Sequence, residues 1–507
     1  MVIPLVNSIY RWLSFRSISR ICQSTENPFD TQKQVLFSLL KKARHTEIGK
    51  EFDFSNITSI RKFQERVPIR DYDKLKSYID RMRTGQKDVL WPGEMRWFAK
   101  SSGTTDTKSK FLPVSRQALK ENHFRAGRDM FTYFIKEFPE NELFKGKCLT
   151  LGGSHQIDHI GGSQSVGDLS AILIANMPKW SNFYRTPKRE IVLIADFEEK
   201  LEKMIQEVVS QNVTSLAGAP SWNLVMIKRV LEVTGKDTLL EVWPNLELFI
   251  HGGVSFSPYR EQFHKVIPSS SMRYMETYNA SEGFFAFQDD LNRSDMMLLL
   301  DHGIFYEFVA VEDIDKEKPK AYTIGEVELG KNYAIVISTN SGLWRYLIGD
   351  TVIFTSTFPH RIKISGRTRH FINAFGEEVI VDNADVAINA ACEMTGAHVV
   401  EYTAGPIFMT DTSKGGHEWL IEFDTPPADL EEFITILDEK LCSVNSDYEA
   451  KRYKGITLDR PVVHALKKGV FYKWLDSKGK MGGQNKIPRL YNSREYVNEL
   501  IDLNESL

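Results

Sequence analysis

Between residues 115 and 138 the apolar residues Ala118, Leu119, Phe124, Met130, Phe131, Phe134 and Ile135 recur at roughly helical spacing, and Pro139 closes the run. This predicts a long helix directly after a loop rich in Gly and Thr. Further on, residues 197–210 read as a helix, 213–216 as a short strand, 222–233 as a helix and 246–250 as a buried strand. Such alternation predicts an α/β layer with a largely parallel sheet.

Between residues 296 and 357 the pattern changes to closely spaced apolar runs, at 296–300, 304–311, 325–327, 333–338 and 351–354. Asp301, His302 and Gly303 separate the first two, as a hairpin requires. A mostly antiparallel, barrel-like β-rich subdomain is expected here. Past Arg369 the order becomes helix (382–394), strand (398–402), strand (418–423) and helix (429–444), then a tail rich in Lys and Gly. The fold class is therefore α/β: a large N-terminal domain over 1–368 with a β-rich subdomain, and a small α+β domain over 369–507.

At 507 residues the chain is too long for one ordinary core, which agrees with several structural units. Its 64 Lys and Arg nearly balance 67 Asp and Glu, so no whole-protein attraction to nucleic acid or anionic lipid is expected, and any phosphate binding must be local. The four cysteines, Cys22, Cys148, Cys392 and Cys442, form no CxxC pair, which suggests neither a zinc site nor a disulfide framework and fits a reducing cytoplasm. The apolar start, Met1 to Tyr10, precedes its arginines instead of following them, the reverse of a secretory signal. An amphipathic helix packed on the body is expected there. No later run approaches the roughly 20 apolar residues of a membrane span.

Three segments carry candidate chemistry. In the first, Ser101, Ser102, Gly103, Thr104 and Thr105 place four hydroxyls around one glycine, followed by Lys108 and Lys110. Gly lets a backbone approach an anion closely, and hydroxyls, main-chain N–H groups and lysines suit the phosphates of ATP, although such a loop can also be a plain surface turn. It lacks the Walker spacing. In the second, Tyr278-Asn279-Ala280-Ser281-Glu282-Gly283 follows a strand; Tyr278 can stack on a purine, Ser281 can donate to phosphate or carboxylate, and Glu282 can ligate Mg²⁺. A structural turn is the alternative. In the third, Trp344-Arg345-Tyr346-Leu347-Ile348-Gly349-Asp350 offers Asp350 to ribose hydroxyls, or as a buried structural carboxylate.

In this order the three segments resemble the Gretchen Hagen three (auxin-responsive promoter) family of acyl acid amido synthetases, within the superfamily of acyl-CoA synthetases, peptide-synthetase adenylation domains and luciferases. The likeness runs from Asn27-Pro28-Phe29 to Gly483-Gln484-Asn485-Lys486-Ile487-Pro488-Arg489, with Ile364-Ser365-Gly366-Arg367 similar to the approach to a hinge and Asn373 to Glu378 to the turn opening a mobile domain. Asp106 and Thr107 stand where plant members commonly continue the loop with glycines.

The resemblance implies ATP and Mg²⁺ as cofactors, with a small carboxylic acid and an amine, usually an amino acid, as substrates. Ser101 to Thr105 would cradle the triphosphate, Tyr278 would face adenine, Glu282 would hold Mg²⁺, Asp350 would bind ribose and Arg367 the ribose or α-phosphate. Lys486 would reach the α-phosphate, with Lys363 as its rival. His123, His159 and His251 are candidates for the acyl side, each with a structural role as the alternative. A cytoplasmic monomer is expected, without nucleic-acid or membrane partners. Competing readings are an acyl-CoA ligase sharing the first half-reaction and a nucleotide-binding sensor or scaffold without turnover.

Overall fold

The computed structural model describes residues 16–104, 107–151, 157–192, 194, 197–253, 256, 259–314, 316–368, 371–410, 413–453, 457–477 and 488–506. The expected helix over the first ten residues lies outside them. The helix Pro28–Ala43 begins with Pro at its first turn, carries Asp30 near its start and Lys41 and Lys42 near its end, and buries Leu36, Leu39, Leu40 and Ala43 on one side. Gln32 pins it to the later sheet: its amide nitrogen, Nε2, donates to the carbonyls of Leu300 (2.6 Å) and Ile304 (2.9 Å).

The strands follow in order. β1 (Trp97–Thr104) and β2 (Thr107–Val114) form an antiparallel hairpin, and β3 (Lys147–Thr150), β4 (Asp158–Gly161), β5 (Gln164–Gly167) and β6 (Arg185–Thr186) come after it. Next are β7 (Val213–Ala217), β8 (Leu248–Gly252), β9 (Arg273–Ala280), β10 (Gly283–Phe287), β11 (Met296–Leu298), β12 (Ile304–Ala310), β13 (Ala321–Tyr322), β14 (Asn332–Thr339), β15 (Tyr346–Thr357) and β16 (His360–Arg367). A small sheet has the order β2-β1-β5-β4, and a twelve-stranded sheet the order β13-β12-β14-β15-β16-β11-β10-β9-β8-β7-β3-β6. From β6 to β9 the neighbours are parallel; from β9 to β13 they are antiparallel.

The α/β and β-rich regions expected from the sequence are both present, and they share one hydrogen-bonded sheet. The parallel strands are buried on both faces. Leu248 and Ile250 of β8 enter one apolar cluster with the helix Phe124–Glu137, whereas Phe249 enters another, as side-chain alternation requires.

Two local expectations fail. Residues 301–303 do not close a hairpin, because β11 pairs with β10 and β16 while β12 pairs with β13 and β14. The His302 ring is fully buried and meets Asp129 at 3.0 Å, so this turn is tied to the helix Phe124–Glu137 instead. Residues 325–327 form a turn, and the edge strand is β13, a few residues earlier. The long helix predicted after the hairpin is present, with a π-helical stretch at Leu119–His123 inside it.

Trp344 anchors the antiparallel half. Its ring is fully buried against Phe54 (4.6 Å), Trp91 (6.2 Å) and Phe63 (6.5 Å), and its Nε1 donates to Leu90 O at 3.0 Å. Beyond β16 come β17 (Phe371–Ile372) and β18 (Val379–Ile380), then β19 (His398–Ile407), β20 (Gly416–Thr425) and β21 (Val462–Leu466) in one three-stranded sheet. The tail that reads only as Lys- and Gly-rich contains β21 and the helices Val470–Ser477 and Glu495–Ser506. This C-terminal unit shares an apolar cluster with the body, in which Phe375, Trp419 and Leu490 join Leu149, Trp243 and Phe249. All four cysteines are free. Among the described residues no helix is long and apolar enough to cross a membrane.

Candidate functional site

The hydroxyl-rich segment is the β1–β2 hairpin. Ser101 pairs with Lys110, Ser102 with Ser109 and Thr104 with Thr107, so Ser101, Ser102, Gly103 and Thr104 run along a strand toward the tip. Thr105 and Asp106 lie outside the described residues. The hairpin touches the C-terminal unit: Ser109 Oγ donates to Ser446 Oγ at 3.0 Å, at the start of the helix Ser446–Arg452.

The second segment ends β9 and turns into β10. Ala280 pairs with Gly283, leaving Ser281 and Glu282 as a two-residue tip. Gly283 is closely packed: a Cβ there would lie 2.6 Å from Ile304 Cδ1 and 3.2 Å from the Phe285 ring, so the Ile304 side chain would have to shift. The Tyr278 hydroxyl donates to Asp350 Oδ2 at 2.6 Å, and Arg367 Nε donates to Asp350 Oδ1 at 2.9 Å. Arg367 Nη2 donates in turn to Glu378 Oε1 at 2.8 Å. Residues from four stretches of chain thus form one line, Tyr278–Asp350–Arg367–Glu378. Burial opposes the Arg367 charge, but Glu378, Asp350 and Glu282 together hold its pKa above the ordinary guanidinium value. Burial and the neighbouring Asp350 carboxylate push the Tyr278 phenol well up, so it stays a donor. Tyr278 is buried, at 5% exposure, and its hydroxyl is taken up by Asp350.

Glu282 is pushed up to about 7: burial raises it most, Lys110 lowers it, and Asp350 and Glu378 raise it further. Lys110 stands on β2, so the charge of the hairpin is felt at the β9–β10 tip. Among the described residues no three His, Cys, Asp or Glu side chains converge on a metal position. A lone carboxylate fits Mg²⁺ held mainly by substrate phosphates and water, the usual arrangement for that ion.

The remaining candidates separate. His123 and His251 are buried; burial lowers His123 to about 4, with Asn279 pulling it back, and lowers His251 to about 3, with Arg260 adding to the fall. Both rings are neutral near pH 7. His251 stacks on Phe256 at 4.3 Å, so it forms part of an aromatic wall. His159 is exposed on β4, its Nδ1 2.9 Å from Ser165 Oγ. Lys363 is exposed on β16 and acts electrostatically on Glu276 of β9. Lys486 and Arg369 lie outside the described residues.

Several positioning residues have no signal in the sequence. Asn122, in the π-helical stretch, donates to the carbonyls of Phe284 (3.0 Å) and His302 (3.1 Å) and accepts from Phe284 N (2.7 Å), which fixes the base of the β9–β10 tip. Arg345, beside the third segment, forms a buried bidentate pair with Glu307, with both N···O distances 2.9 Å. Its remaining donor bonds the carbonyls of Gln64 (2.9 Å) and Val67 (2.7 Å), so its guanidinium is taken up by structural contacts. In the turn after β17, Glu377 accepts from Ala374 N (3.0 Å) and Phe375 N (2.7 Å) and meets His417 Nε2 at 2.9 Å. Glu378 could have been suspected as part of this turn, but its bond to Arg367 could not.

The sequence profile of the GH3 family N-terminal domain matches residues 17–272, that of the GH3 family central domain 297–367, and that of the GH3 family C-terminal domain 382–495. The chain belongs to the GH3 family. Among curated relatives, "Indole-3-acetic acid-amido synthetase GH3.3" of Arabidopsis thaliana is 22% identical, over 96% of this chain and 93% of its own length. "Jasmonoyl--L-amino acid synthetase JAR4" of Nicotiana attenuata is 23% identical, over 92% and 91%. Among solved structures, "AtGH3.15 acyl acid amido synthetase in complex with 2,4-DB" aligns with a TM-score of 0.63 at 17% identity, covering 97% of this chain and 96% of that one. A 2-hydroxyisobutyryl-CoA ligase in its thioesterification state aligns with a TM-score of 0.58 at 14% identity, over 94% and 92%. At these identities the structures establish the adenylate-forming fold for this GH3 chain.

Proposed function

We propose that this GH3 protein is a ligase that uses ATP to adenylate a small carboxylic acid and then transfers the acyl group to an amine, an amino acid in the main case. The observation that supports this reading is the line Tyr278–Asp350–Arg367, which joins the second motif to the third, with Glu282 of the second and Lys110 of the first acting on each other nearby. Family membership and relatives named as amido synthetases support the same reading.

A carboxylate cannot acylate an amine at neutral pH because oxide would have to leave; AMP makes the leaving group. Asp350, fixed by Tyr278 and Arg367, is assigned the ribose hydroxyls. The β1–β2 hairpin, with Ser101, Ser102, Gly103, Thr104 and Thr105, is assigned the β- and γ-phosphates. Lys110 and Arg367 are assigned the negative charge that builds up on the phosphoryl oxygens as the acid attacks phosphorus. Mg²⁺, when bound, would neutralise phosphate charge, and Glu282 would be its protein ligand. Lys486 is assigned the α-phosphate in the adenylation conformation, and the unit beyond about residue 369 is assigned the motion between half-reactions.

Acid-dependent exchange of labelled pyrophosphate into ATP, run over a panel of small acids and followed by product analysis with amino acids and with coenzyme A, tests the proposal. Amide products are expected. Exclusive thioester formation would replace it with an acyl-CoA ligase, and ATP binding without exchange would replace it with a nucleotide sensor.

A further inference from the structure

Arg367 closes β16, and groups on both sides of residue 369 hold its guanidinium. Nε donates to Asp350 Oδ1 of the body at 2.9 Å, and Nη2 donates to Glu378 Oε1 of the C-terminal unit at 2.8 Å. The guanidinium carbon also lies 5.2 Å from the centroid of the Phe371 ring, within cation–π range. Phe371 and Glu378 belong to one hairpin of that unit, β17–β18, in which Phe371 pairs with Ile380 and Ile372 with Val379. Two carboxylates therefore fix the Nε–Nη2 edge, and an aromatic ring fixes the plane. Among the described residues Nη1 has no hydrogen bond, and the side chain is 21% exposed. A planar cation restrained in this way keeps one end for a ligand.

The backbone at Glu378 gives a second, independent sign. Its φ is +43°, in the left-handed region where a residue with a Cβ is strained and Gly is not. Glu378 N donates to Asn373 Oδ1 at 3.4 Å, and Glu378 O accepts from Asn445 Nδ2 at 3.1 Å, so the loop is gripped on both sides of the strained residue. Asn445 is buried and precedes Ser446, which meets Ser109 of the β1–β2 hairpin. A long side chain kept where Gly would be at ease points to a role for that side chain, and the bond to Arg367 supplies one.

We propose that Glu378 and Phe371 are positioning residues of the nucleotide site, contributed by the C-terminal unit: with Asp350 they align the Arg367 guanidinium so that its Nη1 end meets a nucleotide phosphate. This role rests on the ATP-dependent ligase reading for its ligand and adds what aligns Arg367. It is a role of reach and not of charge, because a second carboxylate beside Arg367 weakens the local attraction for phosphate while its geometry fixes the donor. The nucleotide site is then complete only while the β17–β18 hairpin is seated, and nucleotide affinity and that seating favour each other reciprocally.

Calorimetric titration of ATP with Mg²⁺ into the full chain reads the alignment without any acid or amine. Glu378→Asp keeps the charge and tolerates a left-handed backbone but is one methylene short, so it should bind ATP about tenfold more weakly, the loss of one charge-assisted bond. Glu378→Gln, of the same reach and without the charge, should rescue most of that loss. Glu378→Gly removes strain and contact together, and should weaken ATP as Glu378→Asp does while keeping the melting temperature near that of the wild type. Phe371→Leu should weaken ATP about threefold. If Glu378→Gly misfolds, the Asp and Gln pair keeps the comparison. Affinity that follows charge, intact in Glu378→Asp and lost in Glu378→Gln, overturns the positioning role, and so does affinity equal to wild type, or tighter, in Glu378→Asp and Glu378→Gly. No ATP binding by the wild type overturns this role and the ligase reading together. The expected order of affinities without acid-dependent pyrophosphate exchange upholds the role and counts against the ligase reading alone.

Discussion

The Tyr278 hydroxyl donates a 2.6 Å hydrogen bond to Asp350 Oδ2 across 72 residues of sequence, joining the end of β9 to a bulged point of β15. A buried hydrogen bond to an ionised acceptor contributes roughly 1.5–3 kcal/mol. Tyr278→Phe should therefore lower unfolding free energy in denaturant by about 2 kcal/mol and raise the apparent ATP requirement in pyrophosphate exchange about tenfold. A loss of stability with an unchanged ATP requirement would make the bond purely structural.

Glu282 yields a pH signature. Its folded pKa of about 7 lies above the unfolded value of 4.5, so its favourable contribution is complete below pH 4.5 and is lost as pH rises through 7. Without ligands, the wild type should lose about 3 kcal/mol relative to Glu282→Gln between pH 4 and pH 8, read from parallel denaturation curves. Parallel pH profiles for the two proteins would show that the carboxyl is not perturbed. With ATP present, the same variant should weaken the Mg²⁺ dependence of exchange, since a neutral amide is a poorer ligand for a hard cation.

Arg345 provides the contrast within the third motif. Arg345→Met leaves Glu307 buried without its ion pair, held only by the Gln64 amide, which should cost about 3 kcal/mol in stability. Below its melting temperature the variant should keep its ATP KM. A large rise in that KM in folded protein would move Arg345 into the nucleotide site.

Lys486→Ala should impair acid-dependent pyrophosphate exchange by about a hundredfold, as removal of a group that stabilises transition-state charge does, while sparing amide formation from a supplied acyl-adenylate. Equal loss in both half-reactions by folded protein would argue for a single rigid site without alternation of the C-terminal unit.

Periodicity and turn chemistry made much of this molecule legible in the sequence. The long helix before β3, the alternation that builds the parallel strands, the change to antiparallel runs near Met296 and the separate α+β unit all follow from where apolar side chains recur, because burial of a face imposes that spacing. Hydroxyls around Gly103, and the Tyr278 to Glu282 and Arg345 to Asp350 segments, could likewise be read as motifs, since their chemistry is local. Which groups then meet was decided by the tertiary structure. Spacing shows that a side chain faces inward but not what lies opposite, so β11 and β12 looked like a hairpin although each pairs elsewhere, and Arg345 looked like part of a nucleotide motif although Glu307 holds it. Asn122 carries no periodic signal, yet its amide clamps the tip that bears Glu282.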